Sequence, residues 1–332
     1  MCCLFGLIDY AQCLSARRKE KIIKVLSRES EVRGTHATGV AYLTGGTMTI
    51  FKRPKAAHAM RFKFDTNPQV IMGHCRFTTQ GTEKNNENNH PFYSRKLGFS
   101  LAHNGVLYND VILRQQENIP KSQIETDSYI AVQLLEKKNV INFDSIKYMA
   151  EKVEGSFCFT VLDKQNNIYL VKGDNSLVIV DAGGYYLYAS TEQILAAALK
   201  KLGIYKFDTV SINEGEIMRI DRNGYRTKTT FEMQYNTPYK GAWGRYGGYY
   251  GYGYYDYGSY GCWGKSYSKK SDDYIKQYTK DLIDYAAMVG IDEDTILNLI
   301  KDGFSLDEIE AMIYEHEYYY ETEGFDDAVT EI

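Results

Sequence analysis

Between Tyr235 and about Ser268 the chain abandons the composition of a folded domain, and this break limits how many residues can share one core. The stretch includes Tyr246-Gly-Gly-Tyr249-Tyr250-Gly-Tyr252-Gly-Tyr254-Tyr255 and holds both tryptophans, Trp243 and Trp263. Glycine lowers order and aromatic faces attract one another, so 231–270 reads as a disordered, sticky linker. A flexible spacer and a self-association segment are both compatible with it. The aromatics could stack on single-stranded bases, but only Arg245 and a few lysines accompany them, which argues against nucleic acid. The break leaves a folded region over 2–230 and an acidic helical segment over 271–332.

The charge follows the same division. The net charge is −4 over 332 residues, yet 271–332 holds 18 Asp/Glu against 3 Lys/Arg, while the rest holds 25 against 36. Phosphate would be repelled by such a tail. At 44% hydrophobic and 25% charged, the chain suits a soluble protein with a large core. There is no apolar run of about 18 residues and no basic start followed by an apolar stretch, so a cytoplasmic protein without a membrane span is expected. The six cysteines (2, 3, 13, 75, 158 and 262) form no CxxC pair. They read as reduced thiols. The six histidines form no HExxH or H-x3–5-H pattern. Neither a metal nor another cofactor is expected.

Within 2–230, strand and helix patterns are interspersed without a strict βαβ repeat, which predicts an α+β fold. Val40–Leu43, Val70–His74, Phe99–His103, Phe157–Asp163, Ile168–Val171 and Tyr186–Ala189 read as strands. Arg17–Ser27, Asp127–Lys137, Ser145–Val153 and Thr191–Leu202 read as helices. Beyond the linker, Ile275, Tyr278, Leu282, Ile283 and Ala286 recur at helical spacing, and Ile296, Leu299 and Ile300 form a second stripe. Ser305-Leu306-Asp307-Glu308 reads as a capping box opening a third helix with Ile309 and Ile313. Three short amphipathic helices suit packing or partner binding better than chemistry.

The chemistry begins at the second residue. Removal of Met1 would leave Cys2 with both a thiol and a free α-amine, a nucleophile carrying its own base. An α-amine titrates at about 7.7–8.0, and a thiol near about 8.5 needs modest help to become a thiolate. Alone, Cys2 could equally be an ordinary residue at a ragged start. The other polar strings are also weak singly: Arg33-Gly34-Thr35-His36-Ala37-Thr38-Gly39, Gly73-His74-Cys75-Arg76-Phe77-Thr78-Thr79-Gln80-Gly81, Asn88-Asn89-His90-Pro91, His103-Asn104-Gly105 and Thr126-Asp127-Ser128. An Asn-Gly pair is commonly a turn, and an Asp at a helix start is usually a cap.

Taken in order, these strings resemble the class II glutamine amidotransferases, which are N-terminal-nucleophile hydrolases. Most similar is the glutaminase domain found in sugar-phosphate synthases. The likeness continues through Gly155-Ser156-Phe157, Ala189-Ser190-Thr191-Glu192 and Gly215-Glu216, so it covers roughly 2–222. It implies a four-layer αββα sandwich. It also implies that Cys2 attacks the side-chain amide of L-glutamine, with the Asn104 side chain and the Gly105 backbone N–H as oxyanion donors. Arg76 would hold the α-carboxylate, Asp127 the α-ammonium and Thr79 the substrate loop, while Arg33 supports the N-terminal region. His90 and His103 read as structural.

The match is imperfect. Cys3 replaces a glycine, His36-Ala37 replace Asp-Ser, Phe77, Thr78 and Gln80 stand where Trp, Ala and His are common, and Tyr129 replaces a glutamate. No synthase half is recognisable, which implies a separate acceptor protein, with the acidic helical segment as its docking element. Two other readings remain: a hydrolase of another γ-glutamyl amide, and a non-enzymatic glutamine-binding or scaffold protein.

Overall fold

Thirteen strands and five helices are built from the first 230 residues, and their pairing follows from which faces are apolar. The computed structural model describes residues 2–234, and beyond them 279–280, 282–283, 286–287, 290–301 and 309. These two groups belong to separate compact units. The strands are β1 (Cys3–Ile8), β2 (Ala37–Thr44), β3 (Thr47–Arg53), β4 (Val70–Arg76), β5 (Phe92–Ser94), β6 (Phe99–Leu107), β7 (Gly155–Leu162), β8 (Ile168–Lys172), β9 (Val178–Asp181), β10 (Tyr186–Ala189), β11 (Asp208–Val210), β12 (Glu216–Ile220) and β13 (Arg226–Thr230). The helices are α1 (Ala16–Ser30), α2 (Asp110–Gln116), α3 (Tyr129–Lys138), α4 (Phe143–Lys152) and α5 (Glu192–Leu202).

Two antiparallel sheets result. One runs β11-β9-β10-β1-β4-β2-β3 and the other β13-β12-β8-β7-β6-β5. Alternation along each strand sends neighbours to opposite faces. In β1, Phe5 and Leu7 join Ile22, Ile23 and Leu26 of α1 and Leu195 and Leu199 of α5. Leu4 and Ile8 point the other way, into a core shared with Ala102, Leu162 and Leu170 of the second sheet. That sheet's far face packs Phe157, Phe159 and Val161 against Ile130 and Leu134 of α3 and Ile146 and Met149 of α4. Helices therefore cover both outer faces, and the sheets meet across an apolar interior. The α+β expectation holds.

Ser15 caps α1, Thr191 caps α5, and Asn142 with Ser145 forms a capping box on α4, each satisfying amides that have no partner within the helix. Gly203 in the left-handed region ends α5, a position that favours glycine. Lys19 of α1 and Asp9 form a fully buried pair at 2.8 Å. Asp9 also accepts the Cys13 and Leu14 amides, and Lys19 donates to the Pro68 carbonyl, so both charges are partnered as burial demands.

Several boundaries correct the sequence reading. β6 extends through Asn104 and Gly105 to Leu107, so this Asn-Gly pair lies inside a strand and makes no turn. It pairs with Cys158 and Phe157, and Gly105 adopts φ +142°, where a side chain would overlap the Ser156 carbonyl. Helix α3 begins at Tyr129 rather than Asp127, and the Asp127 carboxylate accepts the Leu107 amide of β6. β4 runs on to Arg76. Strands β1, β3, β5, β9, β11, β12 and β13 and helix α2 escape the sequence patterns; β13 is largely exposed and β3 mostly half-buried.

In the second unit, a helix α6 (Glu293–Lys301) carries Asp292 at its start, accepting the Thr295 amide and hydroxyl at 2.9 Å each. Leu282, Ala286, Ile296 and Ile309 form a small core. The expected capping box at 305–308 and the Tyr/Gly-rich residues 235–270 lie outside the described residues. Among the described residues, no helix is long and apolar enough to cross a membrane.

Candidate active site

The strand ends that leave the first sheet on one side converge on β6 of the second. Cys2 precedes β1, and Arg76 ends β4, the antiparallel neighbour that pairs Cys3 with Cys75. Cys2 and Arg76 thus emerge beside each other for a topological reason. Cys2, Arg76, Thr79, Gly105 and Asp127 line one small cavity together with Phe77, Gln80, His90, His103, Thr126 and Ser128.

Cys2 is half-buried, and its sulfur donates to the Phe77 carbonyl at 3.4 Å. Burial pushes the thiol up; the Phe77 backbone and the Arg76 guanidinium pull it down, and Asp127 pushes it up again. The Cys2 carbonyl accepts from Nε of Arg33 at 3.1 Å, so Arg33 grips the residue from behind. The neighbouring Leu4 amide donates to Ser190 Oγ at 2.8 Å.

Asn104 is buried. Its Nδ2 reaches Ser190 Oγ at 3.5 Å, its backbone carbonyl accepts from Asn175 at 2.9 Å, and its Oδ1 has no partner among the described residues. Gly105, the next residue, lines the cavity.

The groups expected to hold glutamine make bonds within the protein. Arg76 donates through Nη1 to Asn89 Oδ1 at 2.7 Å, and through Nη2 to the carbonyls of Gln80 at 2.6 Å and Gly81 at 2.8 Å. Asp127 Oδ2 accepts the Leu107 amide at 2.6 Å, and Oδ1 accepts the Ser128 hydroxyl at 3.3 Å. The Asp127 amide donates to the Gln80 side chain at 3.1 Å. Gln80 therefore touches both recognition residues, one through its backbone and one through its amide. Thr79 is exposed at the cavity edge.

Three histidines lie behind these groups. His74 and His90 have ring centroids 4.2 Å apart, and His90 lies at the same distance from Phe92. His103 stacks on Phe159 and meets Ser128 Oγ through Nδ1 at 2.8 Å. Burial lowers His74 to about 3 and drives His90 well down, while His103 is lowered by burial against the opposing pull of Asp127. Neutral rings at physiological pH make poor proton donors.

Sequence reasoning left out Ser190, Asn89, Ser128 and His36 as site members. All four stood within the quoted strings. Ser190 Oγ becomes visible as a partner only when β10 is seen beside β1. His36 accepts the Thr78 amide through Nδ1 at 2.9 Å and stacks on Phe77. Among the described residues, no group of three or more His, Cys, Asp or Glu is placed to hold a metal.

A family model for a glutamine amidotransferase domain matches residues 74–197. This span holds Arg76, Asn104, Gly105 and Asp127. Residues 74–197 are thus similar to a glutamine amidotransferase domain. Over 234 residues it is 28% identical to the isomerizing glutamine–fructose-6-phosphate aminotransferase of Staphylococcus aureus, covering 68% of this chain and 38% of that protein. The corresponding protein of Staphylococcus epidermidis is 28% identical over 241 residues, covering 67% and 39%. The chain thus spans less than half the length of these curated relatives. Among solved structures, the glutamine phosphoribosylpyrophosphate amidotransferase of B. subtilis superposes with a TM-score of 0.55 at 21% identity, covering 70% of this chain and 50% of that one. At that identity the likeness shows the fold of the amidotransferase domain.

Proposed function

We propose that this amidotransferase domain hydrolyses the side-chain amide of L-glutamine with Cys2 as the nucleophile and delivers ammonia to an acceptor protein supplied in trans. The observation that carries the reading is the shared cavity of Cys2, Arg76, Gly105 and Asp127: a nucleophile, a carboxylate fork, an oxyanion donor and an ammonium acceptor within one small space. Removal of Met1 gives Cys2 its α-amine, which takes the thiol proton and passes it to the departing ammonia. The sulfur adds to the amide carbon, and the oxyanion is held by Asn104 Nδ2 and the Gly105 N–H. Ammonia leaves, water cleaves the thioester, and glutamate departs. A planar guanidinium suits a carboxylate because two parallel N–H bonds match its two oxygens. Here Arg76 must exchange the Gln80 and Gly81 carbonyls for that carboxylate. Thr79 closes the substrate side and Arg33 holds the Cys2 backbone.

The test is intact mass after incubation with 6-diazo-5-oxo-L-norleucine, a glutamine mimic that alkylates such a nucleophile. One adduct on the Met1-processed protein and none on Cys2→Ala is expected. A folded, processed protein that takes no adduct overturns the reading.

A further inference from the structure

Lys52 lies on β3, outside every polar string that marks the site, yet its side chain reaches the segment that holds Arg76. Register places it opposite Gly39 of β2. A Cβ at Gly39 would overlap the Lys52 side chain, the His90 carbonyl and Pro91, so this glycine lets the 89–91 backbone and the lysine stem converge over the strand. The Lys52 ammonium donates to the Asn89 carbonyl and, at 3.4 Å, to the Glu87 carbonyl. It also lies 5.4 Å from the Phe92 ring centroid. The segment returns the contact: Asn86 Nδ2 donates to the Lys52 carbonyl at 3.1 Å. Asn89 is then oriented on both ends of its amide, with Nδ2 bonded to the Glu83 carbonyl at 2.8 Å and Oδ1 receiving Arg76 Nη1 at 2.7 Å.

Among the described residues, Asn89 supplies the one side-chain bond to a guanidinium whose other partners are the backbone carbonyls of Gln80 and Gly81. When a carboxylate displaces those carbonyls, Asn89 remains to fix the plane of the fork. Its own placement depends on the ammonium behind it. We propose that Lys52 is a positioning residue for glutamine: it clamps the 86–90 segment so that Asn89 presents Arg76 edge-on to the α-carboxylate. This rests on the reading of Arg76 given under Proposed function.

The experiment compares wild type, Lys52→Met and Lys52→Arg as full chains. Glutamate release is followed against glutamine concentration, alongside alkylation of Cys2 by iodoacetamide, a reagent with no carboxylate for Arg76. A hydrogen bond to a charged group is worth enough that Lys52→Met should raise KM for glutamine about tenfold while kcat stays within about twofold. Cys2 alkylation should be unchanged, and Lys52→Arg should recover most of the KM. If Lys52→Met does not fold, Lys52→Gln replaces it with the same expectation. An unchanged KM, a matching change in iodoacetamide alkylation, or failure of Lys52→Arg to recover overturns the positioning role while leaving the glutaminase reading intact. A wild-type protein that neither releases glutamate nor takes the diazo mimic on Cys2 overturns both.

Discussion

The Cys2 sulfur donates a 3.4 Å hydrogen bond to the carbonyl of Phe77, the residue that follows Arg76. The proposed nucleophile and carboxylate fork are thereby tied through one peptide. Burial holds the thiol in its neutral form, against the opposing pull of the Phe77 backbone and the Arg76 guanidinium. With the thiol raised, the thiolate fraction near neutral pH is small. Alkylation of Cys2 by iodoacetamide, followed by mass spectrometry, should still be accelerating at pH 9. An inflection below pH 8 would show that the thiol is activated despite its burial.

Asn104 and Gly105 are adjacent, yet their substitutions should separate rate from stability. Asn104→Ala removes one proposed oxyanion donor and should cost about 10²–10³ in kcat. Among the described residues its side chain makes only a long 3.5 Å bond, to Ser190, so the melting temperature should move little. Gly105→Ala places a methyl group on backbone at φ +142° against the Ser156 carbonyl, and strain of that kind costs about 1–3 kcal/mol. Denaturant unfolding should show that loss together with lost activity. A Gly105→Ala protein of wild-type stability would mean that β6 can relax around the methyl group.

Asp127 does two things that Asp127→Asn can pull apart. Its Oδ2 accepts the Leu107 amide at 2.6 Å, a bond that an amide oxygen can keep. Its charge is what an α-ammonium would recognise. Asp127→Asn should leave the unfolding midpoint nearly unchanged and raise KM for glutamine by about 10²-fold, as expected when a charged partner is lost inside a site. An equal fall in stability and affinity would make Asp127 a purely structural tie between β6 and α3.

How far the sequence revealed this site depends on the residue. Cys2, Arg76 and Asp127 belong to strings whose order carried the resemblance; the fold sets Cys2 and Arg76 side by side at strand ends and ties Asp127, just before α3, to the end of β6. The buried strands β4, β6, β7, β8 and β10 were legible because both faces are apolar. Asn104-Gly105 was not legible as strand, since local turn preference is overridden by pairing with Cys158 and Phe157. Asp127 resembled a cap, but its carboxylate is drawn away to a long-range amide. Lys52 lay beyond reach altogether, and Ser190 stood in a quoted string without its contacts being visible. Each acts through a backbone group or a side chain far away in sequence, and no spacing rule encodes such a contact.

His36 gives the substrate loop an acid limit. Burial lowers its pKa below the ordinary 6.5; Glu83 opposes that shift and Arg76 adds to it. Neutral Nδ1 accepts the Thr78 amide at 2.9 Å, which protonation would abolish. The unfolded chain takes up the proton near 6.5 and the folded chain only at lower pH. The anchor is therefore complete above 6.5 and fails as pH falls through the depressed value. Because Thr78 lies between Phe77 and the Gln80 and Gly81 carbonyls bonded to Arg76, the loop should loosen with it. KM for glutamine should be flat from pH 7.5 to 6.5 and rise below that range. His36→Phe keeps the stacking surface toward Phe77 but removes both the acceptor and the titration. Its KM should start higher, by about three- to tenfold for one lost neutral hydrogen bond, and should not climb further in acid. If the acid-side rise persists in His36→Phe, another group sets the limit and the His36–Thr78 bond has no part in it.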